Sequence, residues 1–268
     1  MQALPMTFRD RRKDRDEDPI RGMPPLFGLA DILTIDEAVR LYTHLHNGNG
    51  PFEWSFAFRG SGDKPTYVRS KTKADDVGIR WSVKTSFARG RVSKPIAFMP
   101  YPRNAAGLTC WGALDFDAHD GNTARARELA FKAWNHLRVI RPDLCLILET
   151  SDSGGWHVWI IKDTPVACTA VTTFLADVAK EIGAEVKRGI CEVFPTPTTS
   201  NTLGCALRAP GGYHPGTNSC MQMTSCNLNT LIATLPPQRT VNSDGSFPKK
   251  EKYLFVGGNK EKEPIKKE

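Results

Sequence analysis

Apolar and polar residues divide the chain into three regions. Residues 1–21 carry six basic and five acidic side chains and few apolar ones, which is typical of a flexible charged arm. Residues 22–236 contain regular apolar segments separated by polar turns, as a folded domain requires. Residues 237–268 are rich in lysine and glutamate, and we predict a mobile tail there.

Within residues 22–108, the pattern predicts a small α/β subdomain. Thr34 and Glu37 have the spacing of a capping box, and the apolar positions after them predict a helix that ends near Gly48. Residues 52–58 and 95–99 predict two strands that flank a basic stretch.

Within residues 109–236, the pattern predicts a β-α-β-β-α-β-β series. In order, the segments are strand 110–117, a helix capped by Asn122 or Thr123 that ends before Pro142, strand 144–149, strand 157–161, helix 167–182, strand 190–194 and strand 203–207. Strands interspersed with two crossing helices predict an α+β fold. We expect an RRM-like antiparallel or mixed sheet with helices on one face, preceded by the small α/β subdomain.

Composition narrows the class of protein. The 268 residues are 40% hydrophobic and 24% charged, as in ordinary globular proteins, and no window predicts a membrane helix. The seven cysteines are scattered and no secretory signal precedes them. We therefore expect reduced thiols in a cytoplasmic protein, with no membrane partner.

The positive charge is concentrated in one segment. Residues 59–103 hold eleven basic and three acidic side chains, a net charge of +8, whereas the whole chain has +7. Five aromatic residues interleave this segment: Tyr67, Trp81, Phe87, Phe98 and Tyr101. Basic groups neutralise phosphates and aromatic rings stack on bases, so the segment has the composition of a single-strand or template groove. A solvated basic face with ordinary core aromatics is equally compatible with this composition.

Three carboxylates are candidate ligands for a metal ion. Asp115 and Asp117 end a predicted strand, and their spacing of two residues places both on one face. Two carboxylates directed at one place favour a cation such as Mg²⁺ or Mn²⁺ between them, although two solvent-facing acids would give the same pattern. Glu192 is a third candidate, because acids are rare inside apolar strands unless they are paired or bind a metal.

A glycine-rich turn supplies candidate phosphate-binding groups. Adjacent glycines at 154 and 155 let backbone N–H groups approach phosphate closely, and His157 begins the following strand. Ser153 precedes the glycines. Further along the chain, the guanidinium of Arg208 could clamp a triphosphate.

Together these residues resemble the archaeo-eukaryotic primase (AEP) superfamily, in particular its prim-pol and conflict-system (TOTE-like) primase branch. Three short motifs carry the resemblance over residues 52–217: Ala113-Leu114-Asp115-Phe116-Asp117, Gly155-Trp156-His157 and Cys191-Glu192. The segment Leu207-Arg208-Ala209-Pro210 with His214, and the segment Phe58-Arg59-Gly60, resemble flanking parts of that branch.

The resemblance implies a template-dependent nucleotidyltransferase, a DNA primase or DNA-directed polymerase. It would synthesise or extend primers from nucleoside triphosphates on single-stranded DNA during replication of a mobile element, phage or plasmid. Residues 22–108 would be the template-binding part and residues 109–236 the catalytic part. The resemblance also implies two Mg²⁺ or Mn²⁺ ions and a separate helicase acting in trans, in a bacterial or virus-infected host cell. The implied residues are Asp115, Asp117 and Glu192 for catalysis and metal, Ser153, Gly155, His157 and Arg208 for the nucleotide, and Arg59, Arg89, Arg91 and Lys94 for the template.

Three other functions are alternatives. A rolling-circle nicking endonuclease would use a His-x-His pair, but His44 and His46 fall in a helical pattern, where such positions diverge. A catalytically silent nucleic-acid-binding module is disfavoured because the three carboxylates and the histidine occur together. A glycosyltransferase would need a larger nucleotide-binding fold.

A zinc site is a further alternative. It would use Cys205, His214, Cys220 and Cys226, whose spacings fit no tight zinc knuckle, so we do not favour it.

Overall fold

The computed structural model describes residues 23–46, 54–60, 64–70, 76–104, 106–119, 121–150, 153–196 and 205–236. The predicted arm (1–21) and tail (237–268) lie outside the described residues and stay predictions. None of the helices in the described ranges combines the length and the apolar run needed to cross a bilayer.

The first half forms a small α/β unit. Its elements are α1 (Leu29–Ile32), α2 (Ile35–Leu45), β1 (Trp54–Arg59), β2 (Pro65–Ser70), α3 (Asp76–Phe87) and β3 (Ala97–Met99). The three strands pair antiparallel in the order β2-β1-β3. The capping box is confirmed: the Glu37 amide donates to Thr34 Oγ1 at 3.3 Å, and the Thr34 amide donates to Glu37 Oε2 at 2.8 Å.

Helix α3 was not expected from the sequence, because it presents hydroxyl groups to β3. Ser82 Oγ accepts a hydrogen bond from the Phe98 amide at 2.9 Å, and Thr85 Oγ1 accepts one from the Ile96 amide at 3.4 Å. Both side chains are buried although they are polar. An amphipathic pattern is therefore weak in this helix, since part of its inward face is not apolar.

The second half is built on a five-stranded sheet. Its elements are β4 (Leu108–Phe116), α4 (Thr123–Ile140), β5 (Cys145–Thr150), β6 (Trp156–Ala167), α5 (Cys168–Glu181), β7 (Glu192–Phe194), β8 (Tyr213–His214), β9 (Ser219–Cys220), β10 (Gln222–Cys226) and α6 (Leu228–Thr234). The sheet order is β10-β5-β6-β4-β7, and every neighbouring pair is antiparallel. The predicted α+β fold with an antiparallel sheet is confirmed.

Each face of this sheet buries its own core. Helices α4 and α5 cover one face, where Leu114, Leu148 and Val158 pack with Trp134 and Leu175. The opposite face carries a second set of apolar side chains that packs with α2, α6 and the first half: Trp111, Ala113, Ile147, Trp159 and Phe98. The α4–α5 layer is the helical face expected of an RRM-like sheet, and the small α/β unit covers part of the other face.

One predicted strand is wrong. Of the predicted strand 203–207, the described residues Cys205–Leu207 have no regular structure, and Leu207 and Ala209 are buried in a loop. The fifth strand is instead β10, which pairs with β5 from Gln222↔Thr150 to Cys226↔Leu146. Leu207 and Ala209 therefore fill the core without pairing in a sheet. A short segment with apolar residues does not by itself distinguish such a loop from a strand.

Candidate active site

Four ionisable side chains form a row across the central sheet. Glu149 on β5 is paired with His157 on β6, His157 with Asp115 on β4, and Asp115 with Glu192 on β7. Residues directly opposite each other in antiparallel strands share a face, so all four lie on the face that α4 and α5 do not cover. The structure thus brings together two of the three predicted carboxylates and the predicted histidine.

Asp115 is held beside a positive charge. Its side chain is only 14% exposed, and Oδ1 lies 3.2 Å from His157 Nε2. Burial alone would raise the pKa of Asp115, but the charges of His157, Arg208 and His119 outweigh it and lower the pKa. Within the described residues, Asp115 Oδ1 is buried and accepts no well-formed hydrogen bond, although His157 Nε2 lies close to it. A buried carboxylate oxygen without a donor is suited to a cation.

His157 is fixed from its other side. Its Nδ1 donates to Glu149 Oε1 at 2.7 Å, and its ring is almost completely buried. Burial alone would lower the pKa of His157, whereas Asp115 and Glu149 raise it to about 10. The imidazolium is therefore the stable form at neutral pH, and its Nε2–H points into the site.

Glu149 was missed by the sequence analysis. It has no exposed surface, and besides His157 its oxygens accept hydrogen bonds from Trp159 Nε1 and the Gly211 amide, each at 2.7 Å. The signal was present in the sequence, since Glu149 is the one acid in the apolar strand β5. The argument that selected Glu192 applies equally to it.

Asp117 follows directly after β4 and is the third carboxylate of the site, beside Asp115 and Glu192. Its side chain is 25% exposed, and its amide donates to the Ile190 carbonyl at 3.1 Å. Burial and the charges of Asp115 and Glu192 raise the pKa of Asp117, against the opposing effect of His119. Mutual repulsion of this kind is what a cation between the carboxylates would relieve.

His119 is a second residue that the sequence analysis missed. Its Nε2 lies 3.8 Å from Asp117 Oδ2, and its ring packs over Gly189. Gly189 has φ +77°, which favours glycine, and a Cβ there would lie 2.9 Å from His119 Nδ1. The Gly189 amide in turn donates to Glu192 Oε1 at 3.2 Å. The loop before β7 therefore orients Glu192 and supports His119 at the edge of the site.

The three carboxylates are chemically suited to bind a divalent cation. Asp115, Asp117 and Glu192 are hard oxygen ligands at one end of β4, and Asp115 Oδ1 is buried without a well-formed hydrogen bond from any described residue. In the described residues, however, no three His, Cys, Asp or Glu side chains have the arrangement of a formed metal site. The carboxylates are neighbours whose side chains would have to turn toward a shared ion.

The glycine-rich turn lies beside Asp117. An ideal Cβ on Gly155 would stand 3.8 Å from the Phe116 carbonyl, 3.9 Å from Asp117 Oδ1 and 4.0 Å from Ser153 Oγ. Ser153 itself is exposed. Gly154 has φ +87° and packs against Thr123 at the start of α4. The turn therefore has room for a group of about one methyl beside Asp117, and its glycine backbone can approach a ligand closely there.

Arg208 is also brought to the carboxylate row. Its positive charge is one of those that lower the pKa of Asp115. The side chain is half-buried, and within the described residues its Nε has no hydrogen-bond partner. The following backbone is fixed at two points, where the Ala209 amide donates to the Phe98 carbonyl at 2.9 Å and Tyr42 Oη donates to the Pro210 carbonyl at 3.1 Å.

The predicted template-binding residues lie in the first half of the chain. Arg59 is the last residue of β1 and lies close to Tyr213. Burial raises the pKa of Tyr213, and the positive charge of Arg59 partly offsets this increase. Arg89, Arg91 and Lys94 are exposed in the loop after α3, and Arg89 forms an ion pair of 3.6 Å with Asp31. This loop packs on the β8–β9 hairpin, since a Cβ on Gly90 would lie 3.0 Å from the Tyr213 ring.

In the described part of the chain, neither the candidate zinc ligands nor the two histidines of the His-x-His pair come together. Cys220 packs against the small cluster around Tyr213, whereas Cys226 packs against the α4–α5 core, so two of the three cysteines of the zinc set lie in different clusters. The His-x-His pair also diverges: His44 Nε2 contacts the Lys162 carbonyl, while the His46 ring packs edge-on against Phe98. Neither set gives a shared ligand position in the described residues.

Comparison with known proteins yields matches among solved structures only. No protein-family model and no curated protein matches the chain. The polymerase domain of ligase D from Mycobacterium tuberculosis, in complex with DNA, is similar over 79% of this chain and 88% of its own, with a TM-score of 0.41 and 14% identity. The AEP domain of the primase-polymerase from cyanophage S-2L is similar over 75% of this chain and 97% of its own, with a TM-score of 0.40 and 14% identity.

Proposed function

We propose that this protein is a primase-polymerase: a nucleotidyltransferase that uses Mg²⁺ or Mn²⁺ to make or extend primers on single-stranded DNA. The observation that carries the proposal is the carboxylate row with its neighbours. Asp115 and Glu192 lie paired on adjacent strands, Asp117 follows, and a glycine turn and Arg208 lie beside them. Carboxylates for metal next to groups that bind phosphate are the two requirements of phosphoryl transfer from a triphosphate.

Each residue has a distinct part in this proposal. Asp115, Asp117 and Glu192 would hold two divalent ions, which would neutralise the triphosphate and activate the attacking 3′-hydroxyl. His157 is an imidazolium whose Nδ1 is engaged by Glu149 and whose Nε2 faces Asp115 at 3.2 Å. With Asp115 turned to a metal ion, that Nε2–H would donate to a phosphate oxygen. Arg208 offers an N–H that has no partner among the described residues, beside the same carboxylates.

The glycine turn would complete the nucleotide site. Gly155 leaves room for a phosphate oxygen next to Asp117, and the contact could come from Ser153 Oγ or from a backbone amide. The carboxylates alone would repel a triphosphate, so the positive groups and the bound ions are needed together.

The template would follow the basic first half of the chain. Arg59, Arg89, Arg91 and Lys94 would neutralise its phosphates, and the loop that carries the last three packs on the hairpin that follows the Arg208 segment. A strand bound there could continue toward the nucleotide. We further propose that the protein belongs to the prim-pol and conflict-system branch, acts in replication of a mobile element, phage or plasmid, and works with a separate helicase.

A gel assay tests this function. The protein is incubated with labelled nucleoside triphosphates, Mg²⁺ or Mn²⁺ and single-stranded DNA, with and without a primer. The double variant Asp115→Ala/Asp117→Ala should lose synthesis by at least a thousandfold while template binding is retained, because the acids serve chemistry rather than template contact. The matched control is Asp163→Ala/Asp177→Ala, which removes two exposed acids outside the site and should leave synthesis unchanged.

Two results would contradict the proposal. Undiminished synthesis by Asp115→Ala/Asp117→Ala would remove the assigned site. A nicked product covalently linked to a tyrosine, with no extended strands, would favour the endonuclease alternative.

A further inference from the structure

Glu149 belongs to neither the metal-binding nor the phosphate-binding groups, yet it is the most completely enclosed acid near the site. It is fully buried, and both of its carboxylate oxygens are used by donors from different parts of the chain. A carboxylate without solvent contact is costly unless donors compensate for its lost hydration. The arrangement of those donors shows what the residue does.

One oxygen, Oε1, fixes the orientation of His157. It accepts from His157 Nδ1 and from Trp159 Nε1, each at 2.7 Å. Trp159 is held in turn by the core, with its ring centroid 4.9 Å from that of Trp111. The acceptor is therefore anchored, and it holds the imidazole with Nε2 directed toward Asp115.

The other oxygen, Oε2, fixes the segment that carries Arg208. It accepts from the Gly211 amide at 2.7 Å, three residues after Arg208. Gly211 has φ +68°, and a Cβ there would lie 3.0 Å from Leu29 Cβ and 3.1 Å from Met223 Sδ. The backbone approaches Glu149 closely because position 211 is glycine.

We propose that Glu149 is a positioning residue that holds His157 and the Arg208–Gly212 segment in one fixed arrangement, so that both phosphate-binding groups face the site together. The inference rests on the proposed function, because what it positions are the nucleotide-binding groups. Hydrogen bonds to a charged, buried acceptor are strong and directional, so a single carboxylate can hold both His157, 8 residues away in sequence, and Gly211, 62 residues away.

Glu149→Gln tests this inference. The glutamine has the same shape, but one end of its amide is a donor, and all three groups around it are donors too. We expect its oxygen to stay with His157 and Trp159, where two donors lie, so that the amide group faces the Gly211 N–H. The Gly211 amide then loses its acceptor. Hydrogen exchange of that amide should accelerate, and nucleotide affinity should fall roughly ten- to a hundredfold.

The measurement is binding of a fluorescent deoxynucleoside triphosphate with Mg²⁺ and no template, beside thermal unfolding and amide exchange. Trp159→Phe is the matched control, because it removes one hydrogen bond to the same oxygen and leaves His157 and Gly211 engaged. It should lower the melting temperature and change nucleotide affinity less than twofold. Should Glu149→Gln not fold, Glu149→Asp replaces it: the shorter acid cannot reach all three donors, and a threefold or greater loss of affinity is expected.

The outcomes distinguish the positioning role of Glu149 from the proposed function of the protein. Wild-type affinity in the folded Glu149 variant would overturn the positioning role, and so would equal losses in the Glu149 variant and Trp159→Phe, which would show a role in core stability alone. Failure of the wild-type protein to bind the nucleotide would overturn the proposed function and this inference with it.

Discussion

The adjacent glycines 154 and 155 should respond to the same substitution in opposite ways. Gly155 lacks a positive φ, and a Cβ on it would meet its neighbours at ordinary contact distances of 3.8–4.0 Å. Gly154 has φ +87°, and its Cβ would lie 2.5 Å from Thr123 Cγ2. Alanine at 155 should therefore fold normally and fill the space beside Asp117, whereas alanine at 154 should strain the fold.

The expected free energies follow from these contacts. Gly155→Ala restricts the unfolded chain and should raise the free energy of unfolding by about 0.4–1 kcal/mol. Gly154→Ala must place alanine in the left-handed region and displace Thr123, which should cost about 1–3 kcal/mol, with a fall in melting temperature of about 2–4 °C per kcal/mol. The added methyl at 155 occupies space proposed for a phosphate, and overlap costing about 1–3 kcal/mol corresponds to a loss of affinity of about five- to 150-fold.

Nucleotide binding and thermal unfolding, measured on both variants, check this reasoning. Gly155→Ala should keep or raise the melting temperature while binding nucleotide more weakly. If it binds nucleotide as well as the wild type, the turn is not a phosphate cradle. If both variants lose stability equally, the geometry assigned to the turn is wrong.

The other two predictions concern the core and the basic loop. Gly112→Ala would place a Cβ 2.4 Å from Val171 Cγ1 and 2.9 Å from a backbone carbonyl, so it should lower the free energy of unfolding by about 1–3 kcal/mol in denaturant titrations; an unchanged midpoint would contradict the close packing of α5 on β4. Neutralising Arg91 and Lys94 should weaken binding to single-stranded DNA and reduce the slope of log K against log salt by about 1.4. Neutralising the exposed Lys132 on α4 should leave the slope unchanged, and equal effects of these changes would mean that the basic loop is only a solvated surface.

Much of the fold could be predicted because its elements have local signals. The capping box at Thr34 places the start of α2, and the Asn122 side chain accepts from the Arg125 amide at 3.0 Å as the N-cap of α4. Strand β4, which contains Asp115 and is followed by Asp117, is apolar on both faces and lies between two other strands of the sheet. Caps and buried central strands depend on neighbouring residues, which are visible in one sequence.

Other elements depend on contacts that no local pattern contains. Helix α3 packs on β3 through buried Ser82 and Thr85, so its inward face looks polar. Strand β10 lies at a sheet edge and is half polar, as Gln222 illustrates. The role of Glu149 became visible only through the pairing of β5 with β6, because its partners lie 8, 10 and 62 residues away.

The row of ionisable side chains from Glu149 to Glu192 also favours the correct register of the four strands that carry it. Its four members come from four strands, and each is directed by its place in a ladder whose side chains alternate between faces. If β7 or β5 paired one residue out of register, its acid would turn into the apolar layer beneath α4 and α5. Burying that charge would be unfavourable, so the side chains that are proposed to bind metal or to position the nucleotide-binding groups also oppose misaligned strands.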